Sequence, residues 1–169
     1  TFIYGDDKDG NQVELAKISR GANRIPVSID RIPQHVRDAF AYIEDERFYE
    51  HAGVDWKRTF GAFLNELTHG MLYDSKQGGS TITQQLIKNV TGDKEQNMDR
   101  KMREIFRAAD LEKYRTKDEI LDAYLNCVGM GGSCSGVQAA ALKYFGKDVS
   151  ELDLAEAACL AAIPKSPEN

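Results

Sequence analysis

No apolar stretch in the sequence approaches the ~18 consecutive residues that a transmembrane helix needs, and no charged start leads into an apolar core of the signal-peptide kind. None of the 169 residues is therefore expected to cross a bilayer. Positive charge is also in short supply: 22 Lys and Arg stand against 27 Asp and Glu, for a net charge of −5. Non-specific nucleic-acid binding is mostly phosphate neutralisation by Lys and Arg, so no nucleic-acid partner is expected. Any phosphate this chain binds must meet a local basic patch. Cysteine is scarce, and Cys127, Cys134 and Cys159 make neither a disulfide framework nor a zinc spacing. Cys159 lies in an apolar helical run and reads as buried. Cys127 and Cys134 flank a glycine-rich loop, where the alternatives are two free thiols or a bridge made in an oxidising compartment. Internal repeats and low-complexity tracts are missing too.

What is present is globular in character, with 41% apolar and 29% charged residues. The length fits one domain that buries a core without metal or disulfide staples. Residues 1 to about 30 read as a lead-in or small hairpin, with strand-like runs Thr1 to Tyr4 and Pro26 to Ile29 around the turn-rich segment from Gly5 to Asn11. From Pro33 the pattern is helical. Val36, Phe40 and Ile43 form one stripe ending near Glu44, and Asp55 caps a helix with Phe60, Phe63, Leu64 and Leu67 on one face, running to Gly70. That stripe alone reads as core. Gly78 to Thr81 lead into a helix through Val90. A longer helix from about Asn97 to Tyr114 is expected to bury Met98, Met102, Ile105, Phe106 and Ala109. Capping boxes at Thr116 to Glu119 and Asp153 to Glu156 open two more, and Gly136 to Phe145 reads as another that stops at Gly146. The expected fold is mainly α.

Three constellations carry chemistry. At the end of the first helix, Glu44, Asp45 and Glu46 crowd beside Phe48, Tyr49 and His51. Burial and like charge disfavour ionisation, which makes a carboxylate a usable acid or base near neutral pH. The pattern does not say which acid acts, and a solvated acidic turn with a structural His51 reads the same way. On the long helix Arg100, Glu104 and Arg107 share a face, flanked by Lys101 and Arg103. From Lys76 to Arg107 there are seven basic residues against four acidic ones, a local positive balance in an acidic chain. Finally, the helix behind Gly78-Gly79-Ser80-Thr81 offers backbone N–H groups with Gln84, Gln85 and Lys88 in its first turns, an end suited to an anion. It is not a Walker loop, because the lysine comes too late.

Five ordered blocks give these pieces a shared context: EDERFYEHAG from Glu44, GGSTITQQLIKN from Gly78, RKMREIFRAADLE from Arg100, KDEILDAYLN from Lys117 and GVQAAALKYFGK from Gly136. In this order they resemble the motifs of the peptidoglycan glycosyltransferases, glycosyltransferase family 51, found in class A penicillin-binding proteins and monofunctional transglycosylases. The closing LDLAEAACLAAIPKSP is similar as well. The resemblance implies a lysozyme-like fold with a small membrane-facing subdomain at about residues 57–77, which turns the Phe60 stripe from core to lipid contact. It implies polymerisation of lipid II by an enzyme on the outer face of the bacterial cytoplasmic membrane. A membrane anchor before Thr1 is expected on this reading, as are both ends being cuts in a longer chain and other cell-wall synthesis proteins as partners. Glu44 takes the role of general base and Glu104 that of the second acid. Ser80, Thr81, Gln85, Lys88, Asn89, Arg100, Lys101 and Arg103 become the substrate-binding set. No cofactor is obligatory; a divalent cation, Mg or Mn, is an optional helper for which no ligand set is visible. Sensitivity to the phosphoglycolipid moenomycin follows from the same resemblance.

The sequence also departs from that pattern. Gly129 stands where the family usually has Tyr, and only Lys94 is available as a basic residue between the second and third blocks. Two rival readings are a lysozyme-like hydrolase, which needs no basic face for a leaving pyrophosphate, and a non-catalytic binding module, against which both Glu44 and Glu104 weigh.

Overall fold

A computed structural model describes the backbone of residues 2–6, 12–17, 23–67, 79–92 and 98–165, with side chains for 23–61, 79–92 and 98–164. Its helices, in chain order, are α1 (Gln34–Asp45), α2 (Trp56–Leu67), α3 (Ile82–Thr91), α4 (Met98–Leu111), α5 (Lys117–Cys127), α6 (Val137–Phe145) and α7 (Leu154–Ala162). Strands are short and peripheral. β1 (Phe2–Asp6) pairs antiparallel with β2 (Gln12–Lys17), and β3 (Asn23–Arg24) pairs in parallel with β4 (Cys134–Ser135). The mainly α expectation holds, and the lead-in is the expected hairpin. The rest of the expected membrane-facing segment beyond Leu67 lies outside the described residues.

Capping chemistry sets where helices begin. Thr81, Thr116 and Asp153 each accept from the backbone N–H three residues on, while Gln84, Glu119 and Glu156 reach back to the cap N–H. Two donors that would otherwise be orphaned are satisfied at each start. Thr81 also donates its hydroxyl to the Gly53 carbonyl at 2.7 Å, so the cap of α3 fastens the turn after α1 as well. Thr81→Ala should therefore cost about 2 kcal/mol, a lost cap plus an unpaired buried carbonyl, while Thr81→Ser keeps both bonds. Urea melts of the two variants check this, and equal midpoints would show that the cap contributes nothing.

α3 is the hub, packed on α4 and α5 and touching α1, whose other side lies on α7. The main core gathers Val36, Phe40, Phe48, Ile82, Leu121, Tyr124 and Leu125, all fully buried or nearly so. Each such side chain contributes about 1.5–3 kcal/mol of burial, which holds α1, α3 and α5 at fixed spacing around the carboxylates at the end of α1.

Three expectations are corrected. The run Pro26 to Ile29 is not a strand: Ser28 is extended and Ile29 opens a 3-10 turn, while Val27 has its N–H and C=O paired at 2.8 Å each by the side-chain amide of Asn126, which substitutes for a neighbouring strand. Cys159 is exposed on α7, because Ala157, Leu160 and Ala161 form that helix's buried face. On α4 the expected face is largely wrong. Ile105 is buried and Ala109 half-buried, but Met98, Met102 and Phe106 are 69%, 46% and 66% exposed. The inward face is instead Glu104, Ile105 and Ala108. Glu104 tolerates burial because two cations pair it, and Ala108 is small enough for the chain at Gly53 to cross against it.

Candidate active site

The crowded acids at the end of α1 have separate environments. Glu46 is exposed. Asp45 is fully buried and committed: its Oδ2 accepts from the Ile82 N–H and pairs with His51 Nε2, both at 3.0 Å, and its Oδ1 lies 3.5 Å from the Arg58 guanidinium. Arg58 also donates to the Glu44 carbonyl at 2.9 Å. Asp45 thus locks the end of α1 to the start of α3, and His51 has a structural partner. Glu44 is 6% exposed, and its Oε2 accepts from Gln85 Nε2 at 2.8 Å; Oε1 is buried without a hydrogen bond among the described residues, as Asp45 Oδ1 is, although that oxygen has the Arg58 guanidinium beside it. A buried oxygen without a partner carries a desolvation cost that most structures avoid, and sites of chemistry are where it is retained.

Behind Gln85 stands Tyr124 of α5, whose hydroxyl donates to Gln85 Oε1 at 3.1 Å. Burial, with the charge of Glu44 next, pushes the Tyr124 phenol well above its ordinary range, so it remains a donor at any working pH.

The second half of the site lies between α3 and α4. Glu104, 4% exposed, pairs with Arg100 at 2.8 Å and with Lys101 at 2.6 Å, and Lys101 reaches across to Ser80 Oγ at 2.8 Å. Arg100, Glu104 and Arg107 line a notch with Ile87, Lys88 and Thr91, of about 10 Å³, space on the order of one water. Lys88 follows Gln85 by three residues, so one helix presents the Glu44 partner and a cation on neighbouring positions.

Of the residues singled out from sequence, the structure brings together Glu44 with Gln85, and Ser80 with Lys101, Glu104 and Arg100, with Lys88 across the notch. The others lie elsewhere. Thr81 is buried under its cap bonds, Asn89 turns its amide toward Cys127 Sγ at 4.0 Å, and Arg103 is exposed on α4. All three cysteines are free thiols. Among the described residues no three His, Cys, Asp or Glu side chains converge as metal ligands would.

Sequence reasoning passed over several supporting residues. Glu112 accepts from Thr83 Oγ1 at 2.6 Å and pairs with Lys117 at 2.7 Å, and Lys117 Nζ lies 4.5 Å from the centre of the Phe48 ring. One knot thus joins the acidic turn, α3, the end of α4 and the start of α5. Asp55 caps α2 as the sequence led one to expect, accepting from the Arg58 N–H at 3.0 Å; what the sequence did not show is its ion pair with Arg47 at 2.6 Å. At Gly129 a Cβ would meet nothing within 4 Å and the φ is not left-handed, so the backbone there does not demand glycine.

Glu44 bound to Gln85, with the cations Lys88, Arg100 and Lys101 near the same helix, makes this cleft the candidate site of the domain. The family model for transglycosylases matches residues 11–169, and the chain belongs to that family: it is a peptidoglycan glycosyltransferase domain. Similar proteins are penicillin-binding protein 1A of Clostridium botulinum (strain Langeland), 46% identical over 98% of this chain and 20% of that protein, and penicillin-binding protein 1F of Bacillus subtilis, 44% identical over 95% and 22%. Penicillin-binding protein 1A of Escherichia coli K12 is 47% identical over 86% of this chain and 17% of its own length. The chain thus spans about a fifth of the length of these curated relatives.

Proposed function

We propose that this domain polymerises lipid II into peptidoglycan glycan strands by inverting transfer of the lipid-linked growing chain to the 4-hydroxyl of an incoming lipid II. The observation that carries the reading is that α3 links the two halves: its Gln85 binds Glu44 of α1, and its Lys88 lines the cationic notch shared with α4. As the 4-oxygen attacks the anomeric carbon, its proton passes to Glu44 Oε1. The bond from that carbon to the phosphate oxygen breaks, and undecaprenyl pyrophosphate leaves with the electron pair. Lys88, Arg100 and Lys101 meet the charge that grows on it, with Ser80 as a neutral donor. Glu104 serves as the counter-charge that holds Arg100 and Lys101 at this spot. No obligatory cofactor enters. A divalent cation, Mg or Mn, would sit among phosphate oxygens rather than in a protein cage.

A lipid-linked substrate also needs a surface that lies on the membrane. Trp56 and Phe60 on α2 are 65% and 63% exposed, and they support lipid contact together with the outward line Met98, Met102 and Phe106 on α4. Work at the outer face of the cytoplasmic membrane, an anchor outside this segment and association with other cell-wall synthesis proteins belong to the same proposal. Gel analysis of product from labelled lipid II tests it: a ladder of lengthening glycan that moenomycin suppresses is expected. Release of soluble muropeptides from polymeric peptidoglycan, without any ladder, would instead make this a hydrolase.

A further inference from the structure

We propose that Tyr124 is a positioning residue for the general base: by holding the Gln85 amide in one orientation after proton uptake, its hydroxyl keeps the proton on the Glu44 oxygen that Gln85 does not bind. This rests on Glu44 being that base. A glutamine amide can sit either way round, and the two ways are chemically opposite. As found, Nε2 donates to Glu44 Oε2 at 2.8 Å and Oε1 accepts from Tyr124 at 3.1 Å. Reversed, the amide oxygen would face an ionised carboxylate oxygen at the same distance with no hydrogen between them. While Glu44 is ionised, its own charge enforces the observed orientation.

After proton uptake that constraint relaxes, and Tyr124 takes over. Were the proton to settle on Oε2, Nε2 would be left with a weaker hydroxyl acceptor, and a full bond from the new O–H to the amide oxygen would need the amide turned with its NH₂ toward Tyr124. The phenol is fully buried, and Gln85 Oε1 is the acceptor its hydroxyl has among the described residues. Turning the amide would leave that O–H donor without an acceptor, a loss that a buried group resists. The phenol also cannot escape by ionising, since burial and the charge of Glu44 both hold its proton on. Oε2 therefore stays an acceptor throughout the cycle, and Oε1 is the oxygen that gains and releases the proton. Tyr124 acts through Gln85 and reaches no reacting atom itself.

The test is a double-mutant cycle in lipid II polymerisation. Tyr124→Phe keeps the ring and removes the hydroxyl, so kcat should fall about 3- to 10-fold with KM unchanged. Gln85→Ala should fall further, and the double variant Tyr124→Phe with Gln85→Ala should be no slower than Gln85→Ala alone, because the hydroxyl works only through the amide. Losses that multiply, or a Tyr124→Phe enzyme with a lowered melting temperature but native kcat, overturn the proposal. If Tyr124→Phe does not accumulate as folded protein, Gln85→Asn serves instead: one methylene shorter, it cannot span both neighbours, and native kcat in that variant is equally fatal. Glu44→Gln runs alongside as reference. Polymerisation that survives in Glu44→Gln removes the base, whereas a dead Glu44→Gln with a fully active Tyr124→Phe removes only the role of Tyr124.

Discussion

Glu44→Gln should stop glycan chain growth, lowering the rate of lipid II polymerisation by about 10²–10⁴-fold while leaving substrate binding largely intact. The expectation is this specific because the substitution leaves the surroundings satisfied. A glutamine oxygen at this position still accepts from Gln85 Nε2, as Glu44 Oε2 does at 2.8 Å, and the backbone carbonyl of residue 44 still accepts from Arg58. What is lost is an oxygen able to bind a proton. Asp45→Asn offers the contrast, since that carboxylate holds the Ile82 N–H, His51 and Arg58 and should register in the melting temperature first. A labelled-substrate gel and a thermal melt on both variants separate the two carboxylates. Chain growth by Glu44→Gln at the native rate would sink the base assignment.

The second large effect is expected where no charge is involved. Gly53 has φ +82°, and a Cβ there would lie 2.4 Å from the Ala108 carbonyl oxygen and 2.8 Å from the Ala109 nitrogen, both backbone atoms of α4. Gly53→Ala thus combines left-handed strain with a clash that no rotamer relieves, for a loss of about 3 kcal/mol or more. To restore ordinary contact the helix must retreat by about 1 Å, and it carries Arg100, Lys101 and Glu104. A displacement of that size costs roughly 10²-fold in rate when it moves groups that hold a substrate. The variant should melt well below the native protein, and the fraction that remains folded at low temperature should still polymerise poorly. A native melting curve would mean that α4 does not rest on this glycine.

How much of this was legible in the sequence depends on whether the deciding interaction is local. The caps at Thr81, Thr116 and Asp153 were readable because each bonds within three residues of itself, and the starts of α3, α5 and α7 followed. The inward face of α4 was misread because apolar periodicity counts methionines and not ion pairs. A carboxylate held by Arg100 and Lys101 went inside, and Met98, Met102 and Phe106 stayed out. The same limit applied at the site. Glu44, Asp45 and Glu46 are adjacent in sequence, and what separates them is the Gln85 amide 41 residues away and the Ile82 N–H 37 residues away. Nothing in the sequence singled out Tyr124 for that reason: the bond its hydroxyl makes bridges 39 residues. The motif resemblance supplied the order of the blocks, and the fold supplied their knot at Phe48, Thr83, Glu112 and Lys117.

The chain of bonds from Glu44 to Gln85 to Tyr124 steps 41 and then 39 residues along the polypeptide. On a ribosome such a site cannot be assembled early. Contacts of this sequence separation form only after most of the loop-closure entropy between them has been met, and α1 leaves the exit tunnel long before α5 exists. Within that interval Gln85 can reach Glu44, but its amide still lacks the Tyr124 hydroxyl. The full chain of bonds is therefore completed late in biosynthesis, when the fifth helix docks against the third.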